Sequence, residues 1–322
     1  MKFNLISIAV LASLGMSTGA QADLFTFNPG TGNITDIALI DQAPGSAIAQ
    51  GGVSAIQNFA SGGTAAGNNF QLYYQANLSN MQAADTTPLF SNGTGGNFFN
   101  FVASFGETVT SVAGNNSATF AFNPGSAINY FEIFASSSIA NNLTGAGFGG
   151  ATSILKGVIT SVDSSNFVVS SVTPVNLDQS PNGNQWGTQQ TVTGSGSSDI
   201  TVQVTSVDGT YFPTLDPLNK IVISFFNTSQ VDPYKQVDPS RCFNTLSFNN
   251  AGSVCDGVTG GADGYNGVLG ALNGSSGPDF QFQADANQSI TQSVPEPGTV
   301  AMVGLGLTLL GLGGVRRRKA AA

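Results

Sequence analysis

Any chemistry in this 322-residue chain must be done without histidine. That removes the commonest general base, the usual hydrolase triads and the familiar zinc ligand sets. No Gly-x-Ser-x-Gly elbow and no Walker-type phosphate loop occurs. Carboxylates are the remaining acid–base candidates. Between Asp23 and Val294 the only glutamates are Glu107 and Glu132, the fewest with which a glutamate pair could hydrolyse a glycoside. Glu132 stands in Tyr130-Phe131-Glu132-Ile133-Phe134, where strand alternation turns it away from Phe131 and Ile133. The pattern reads as the solvent side of an edge strand, with a buried acid among aromatics as the alternative. We expect no enzyme.

Binding residues are equally sparse. Asp256, Asp263 and Asp279 lie in or near a glycine-dense stretch after Cys255. Calcium takes oxygen ligands from such loops, but the strict spacing of a calcium loop is absent. No cofactor is expected, with Ca2+ kept as an alternative. Trp186, the single tryptophan, sits in polar Asn184-Gln185-Trp186-Gly187; it is the candidate for stacking on a sugar ring, and a core position is the alternative. Cys242 and Cys255 are the only cysteines. A disulfide between them would close a loop of about fourteen residues and stabilise by about 3 kcal/mol in the loop-entropy account.

The two ends carry addresses. Lys2 followed by an apolar run from Leu5 to Met16, then Ala20-Gln21-Ala22, has the form of a signal peptide cleaved before Asp23. At the other end Val294-Pro295-Glu296-Pro297-Gly298 precedes an uncharged, Leu-, Val- and Gly-rich stretch, residues 299–315, and then Arg316-Arg317-Arg318-Lys319. Seventeen helical residues at about 1.5 Å each reach roughly 26 Å, just short of a ~30 Å hydrocarbon core. Snorkelling arginines make up the difference, and their charge keeps that end cytoplasmic. The two prolines hold Glu296 out of helical geometry, which makes an extended element for a protease at the membrane face.

The body between them, residues 23–293, has seventeen acidic residues against four basic ones, Lys156, Lys220, Lys235 and Arg241, a net charge of −13. Nucleic acid and anionic lipid are poor partners for it. Charged residues are only 8 % of the chain, yet 41 % are apolar, enough for a core.

Period-two alternation must position whatever function the body has. Ile200 to Thr205 and Phe280 to Gln283 alternate cleanly. Gln71 to Ala76, Phe99 to Phe105, Ala118 to Phe122 and Tyr130 to Ala135 are aromatic-rich strand candidates. Ser153 to Val162, Asn166 to Val172 and Lys220 to Phe226 are β-branched ones. Turn clusters separate them, including Asn123-Pro124-Gly125, Pro181-Asn182-Gly183 and a hairpin signal at Asp208-Gly209. We expect an all-β, antiparallel β-sandwich or jelly-roll-like domain. One helix is possible over residues 47–59, and residues 289–293 read as a polar spacer. Phe27-Asn28-Pro29-Gly30 recurs as Phe122-Asn123-Pro124-Gly125, and residues 44–48 echo residues 124–128, read as similar turns leading into strands.

The ordered tail of Pro-Glu-Pro, apolar run and arginine cluster resembles the PEP-CTERM sorting signal of Gram-negative bacteria. That resemblance implies an exosortase-type membrane protease as partner, transient inner-membrane insertion, and a cell-surface or extracellular destination. Within the body, Leu24 to Gly30, Asp41 to Gly52 and Asp279 to Asn287 resemble flocculation-associated PEP-CTERM proteins of floc-forming bacteria. This second resemblance implies a matrix protein that aggregates cells with exopolysaccharide and hands over no catalytic residue. The alternatives are a carbohydrate-binding module and, least favoured, a hydrolase of matrix polymers.

Overall fold

The structure is a computed structural model and describes residues 23–291, apart from 115, 143–144, 150–151, 180–188, 217–219 and 236–268. Strands make up 60 % and helices 8 % of it, so the all-β, antiparallel, sandwich-like expectation holds. In chain order the strands are β1 (Phe25–Phe27), β2 (Ile34–Ile37), β3 (Leu39–Gln42), β4 (Gly45–Gln50), β5 (Asn69–Gln82), β6 (Pro88–Ser91), β7 (Phe98–Ala113) and β8 (Ser117–Phe122). They continue with β9 (Tyr130–Ser136), β10 (Thr152–Asn176), β11 (Gln190–Val207), β12 (Lys220–Asp232), β13 (Leu272–Asn273), β14 (Phe280–Ala284) and β15 (Asn287–Thr291). One α-helix, α1 (Gly52–Ala60), follows β4.

The hydrogen-bonded ladder closes on itself, a feature that strand alternation alone does not predict. Five long strands, β5, β7, β10, β11 and β12, are each shared between two circuits. At one end the circuit runs β10-β9-β7-β5-β3-β15-β12-β11 and back to β10. At the other, β8 replaces β9, while β4 and β14 replace β3 and β15. Closure satisfies backbone groups that an open edge would leave unpaired. Every pairing in these circuits is antiparallel; β13 lies parallel against β11, and Asp178 and Tyr234 form an isolated parallel bridge.

Alternation decides what fills the interior. Along β7, Phe99, Phe101, Ala103, Phe105 and Val109 join one core with Phe131 and Ile133 of β9 and Ile200, Val202 and Val204 of β11. Each fully buried Phe contributes roughly 1.5–3 kcal/mol of apolar burial. At the β9 end Phe27 of β1 packs edge-on against Phe90 and Phe99, with ring centroids 5.8 and 5.0 Å away, and tilts against Phe212 at 5.1 Å. An aromatic plug therefore fills that end.

A second core lies on the outer face. Ile48, Tyr73, Val102, Tyr130 and Phe134 point outward, and Ala140, Phe148, Leu177, Tyr234 and Leu269 from connecting segments cover them. Asn77 pins this cover. Its Nδ2 donates to the Ala140 carbonyl at 2.8 Å, and its Oδ1 accepts from the Ala140 N–H at 3.1 Å.

Several local expectations need correcting. The proposed helix over residues 47–59 is strand up to Gln50 and helix only from Gly52. Gly51, in the left-handed region at φ 78°, makes the break. The two candidates over 153–162 and 166–172 form one strand, β10. The polar spacer at 289–293 is largely β15, paired to both β3 and β12. Asp208-Gly209 does turn the chain, with the Asp208 carboxylate accepting from the Thr210 N–H at 2.8 Å, but the returning strand β12 starts only at Lys220, opposite Gln203, so a longer connection replaces the tight hairpin expected.

The Phe-Asn-Pro-Gly echo has a shared geometry. Asn28 Oδ1 accepts from the Gly30 N–H at 2.9 Å and Asn123 Oδ1 from the Gly125 N–H at 3.0 Å, each just after a strand ends. Both are Asx turns. They leave strands, where a lead into strands was expected. The 44–48 echo fails, since Gly45 opens β4 whereas Gly125 lies in a turn.

Candidate functional site

The barrel end opposite the aromatic plug holds an apolar cavity of about 370 Å³. Phe70 and Leu72 of β5, Phe120 of β8, Phe167 of β10, Val192 of β11 and Phe280 and Phe282 of β14 contribute to its wall. Phe167 meets Phe280 edge-on at 4.8 Å. Gly194 makes room for that ring: a Cβ there would stand 2.4 Å from Phe167 Cε1 and 2.6 Å from the Val168 carbonyl oxygen.

Helix α1 roofs the cavity. Val53, Ile56, Gln57 and Ala60, spaced i, i+3, i+4 and i+7, share one helical face and all line it. The helix start is fixed from the segment leading into β14, the ladder neighbour of β4. The Gly51 N–H donates to Asp279 Oδ1 at 2.6 Å, and the Val53 N–H donates to the Pro278 carbonyl at 3.0 Å. Exposed Gln57, Ala60, Gly114, Asn116 and Val172 mark the mouth.

Glu107 stands in this apolar setting. It continues the inward register of Phe101, Ala103 and Phe105, so the pleat aims it at the interior. It is 1 % exposed, and no other lining residue is ionisable. The Ser165 hydroxyl hydrogen-bonds the carboxyl, while Oε1 has no hydrogen-bond partner. Burial pushes Glu107 up to about 7, against the smaller lowering effect of Ser165.

Glu132 is placed differently from its sequence reading. Strand β9 lies between β7 and β10, so it is no edge, and Glu132 is 2 % exposed beneath the outer core. Its Oε1 lies 3.2 Å from Lys156 Nζ. Burial raises its pKa, partly offset by Ser153 and Lys156. Glu107 faces inward and Glu132 outward, so the sheet keeps the two apart.

Asp279, considered above for calcium, is the acceptor at the α1 start. Among the described residues no three His, Cys, Asp or Glu side chains cluster as a metal would need. Asp256, Asp263, Trp186, the Cys242 and Cys255 pair, Ala20 and Ala22 lie outside the described residues. So do Val294, Pro295, Glu296, Pro297 and the Arg316-Arg317-Arg318-Lys319 cluster. No helix among the described residues is long and apolar enough to cross a membrane; the 299–315 stretch is not among them.

Sequence reasoning passed over the cavity because no local run of residues forms it. One signal was present: Glu107 interrupts an alternating apolar series otherwise made of core residues.

Comparison with known proteins places one segment. No curated protein and no solved structure matches the chain. Residues 293–319 match the PEP-CTERM protein-sorting motif. The motif implies export, a transient C-terminal membrane anchor and processing by an exosortase. Residues 293–319 of this chain therefore carry a PEP-CTERM sorting segment.

Proposed function

We propose that the exported body is a non-catalytic surface or matrix protein that promotes cell aggregation together with exopolysaccharide. The observation that carries this reading is the sorting motif at residues 293–319, joined to a body with a net charge of −13 and no histidine. Two further features support it. The only glutamates of the body sit on opposite faces of the sheet, one in an ion pair under a covered core, so they do not flank a common cleft. The closed ladder also suits a protein that must persist outside the cell, since closure leaves few strand edges for aggregation.

Contact with polysaccharide is assigned to aromatic and amide side chains, with Trp186, set in polar Asn184-Gln185-Trp186-Gly187, as the first residue to test. The secreted protein, mixed with exopolysaccharide from its own culture, should co-sediment with it. Trp186→Ala should lower the bound fraction several-fold while leaving the far-UV circular dichroism unchanged. Co-sedimentation equal to that of an unrelated acidic protein would overturn the polysaccharide role. Unchanged binding by Trp186→Ala would remove that residue from it.

A further inference from the structure

We propose that the cavity beneath α1 is a binding site for a small, neutral, mainly apolar molecule that carries a hydrogen-bond donor at one end, such as an aliphatic alcohol or an aryl amine. This assignment is independent of the aggregation role. Three observations define it.

The first is size and lining. About 370 Å³ bounded mostly by Phe, Val, Leu and Ala side chains lies within the roughly 300–1,000 Å³ range of small-molecule pockets. A core built only for stability would close such a space, because a cavity of this size forgoes dispersion contacts over its whole surface.

The second is the lone polar group. A buried carboxyl with one oxygen unpartnered is costly, and such a group is kept where a partner arrives from outside the chain. Glu107 Oε1 is that oxygen, while the Ser165 hydroxyl hydrogen-bonds the carboxyl. Above about pH 7, where the folded-state carboxyl is ionised, Oε1 can only accept, so a ligand that satisfies it must donate.

The third is charge. With no basic side chain in the lining, an anionic head such as a fatty-acid carboxylate would meet Glu107 with nothing to neutralise either group. A neutral hydroxyl or amine donor avoids that penalty and satisfies Oε1. The ligand body would then lie along the Phe70, Phe167 and Phe280 walls and reach the mouth at Ile56 and Val172.

The test uses protein secreted by the native pathway and the neutral fluorophore 1-aminoanthracene at pH 7.5. Fluorescence should rise with one-to-one stoichiometry. 1-Octanol should displace the probe, methyl octyl ether (which lacks a donor) should do so less well, and octanoate should not. Glu107→Leu should weaken the probe and 1-octanol by roughly three- to tenfold, the loss of one hydrogen bond, and erase the preference of alcohol over ether. Ile56→Trp, which fills the mouth from the half-exposed face of α1, should abolish binding with the fold intact. It decides the question if Glu107→Leu fails to fold. Absence of binding by the folded wild type would overturn the proposal, and so would binding unchanged in Ile56→Trp.

Discussion

Glu107→Gln should make the protein more stable at pH 8 by about 2–3 kcal/mol and leave it within about 1 kcal/mol of wild type at pH 5. The carboxyl ordinarily titrates at 4.5 and is pushed up to about 7 by burial in the apolar cavity. The folded state therefore holds its proton to higher pH than the unfolded state. Wild-type stability is fully present below about 4.5 and falls as pH rises towards about 7. Above that the loss stays constant, because both states are ionised. At about 1.4 kcal/mol per pKa unit, the shift corresponds to about 3 kcal/mol. Glutamine keeps the shape and the hydrogen bonding to Ser165 but cannot ionise, so it removes that loss.

Asp285, raised to about 6 by burial and by the neighbouring Asp41, and Asp41 and Asp232, raised by burial, should leave a residual slope of the same sign in both proteins. The difference between the two curves thus isolates Glu107. Urea unfolding at pH 5, 6, 7 and 8 measures it. Parallel curves for wild type and variant would show that the carboxyl is hydrated and the cavity wet.

The second large effect concerns the tail. Deleting Val294–Ala322 removes the proline-locked element, the apolar stretch and the arginine stop together. The truncated protein should still be exported and folded, because the ladder closes among the described residues, which end with β15 at Thr291. It should appear in the medium without a membrane-associated precursor, and strains making it should lose most of their flocculation. Normal flocs from such a strain would refute the sorting account of aggregation. A protein that is degraded before export would instead place a folding role in the tail. Fractionation and immunoblotting distinguish these results.

Much of the framework is legible in the sequence because it depends on local alternation. Phe99 to Phe105, Tyr130 to Ala135 and Phe280 to Gln283 are all strands, as their alternation predicts; the single buried face expected of Phe280 to Gln283 is corrected, since Gln281 and Gln283 on its other face are buried too. What escaped depends on contacts distant along the chain. Residues 289–293 look like a polar spacer because the buried face of β15 is made of Gln288 and Ile290, so only one of the two is apolar. Its strand character comes from β3 and β12, hundreds and tens of residues away. Glu132 looks like a solvent-facing residue because its neighbours β7 and β10, and the segment that covers them, cannot be read from Tyr130-Phe131-Glu132-Ile133-Phe134. Asp279 resembled a loop ligand because a short carboxylate near glycine serves equally as a cap, and only the position of Gly51 decides between them.

The candidate site was half visible. The register along β7 puts Glu107 among core residues, whereas the space in front of it exists only because seven other strands and α1 meet there. The C-terminal address was the most legible of all, since its logic is sequential: a break, an apolar length and a charge cluster, in order.

Intact-mass measurement of the protein recovered from cytosol, cell surface and medium tests the export-and-release claim most directly. The surface and medium forms should begin at Asp23 and end close to Pro295-Glu296-Pro297, with the apolar stretch and arginines gone. Full-length protein in the cytosol, with Met1 and Ala322 both still attached and no shorter form outside, would contradict it.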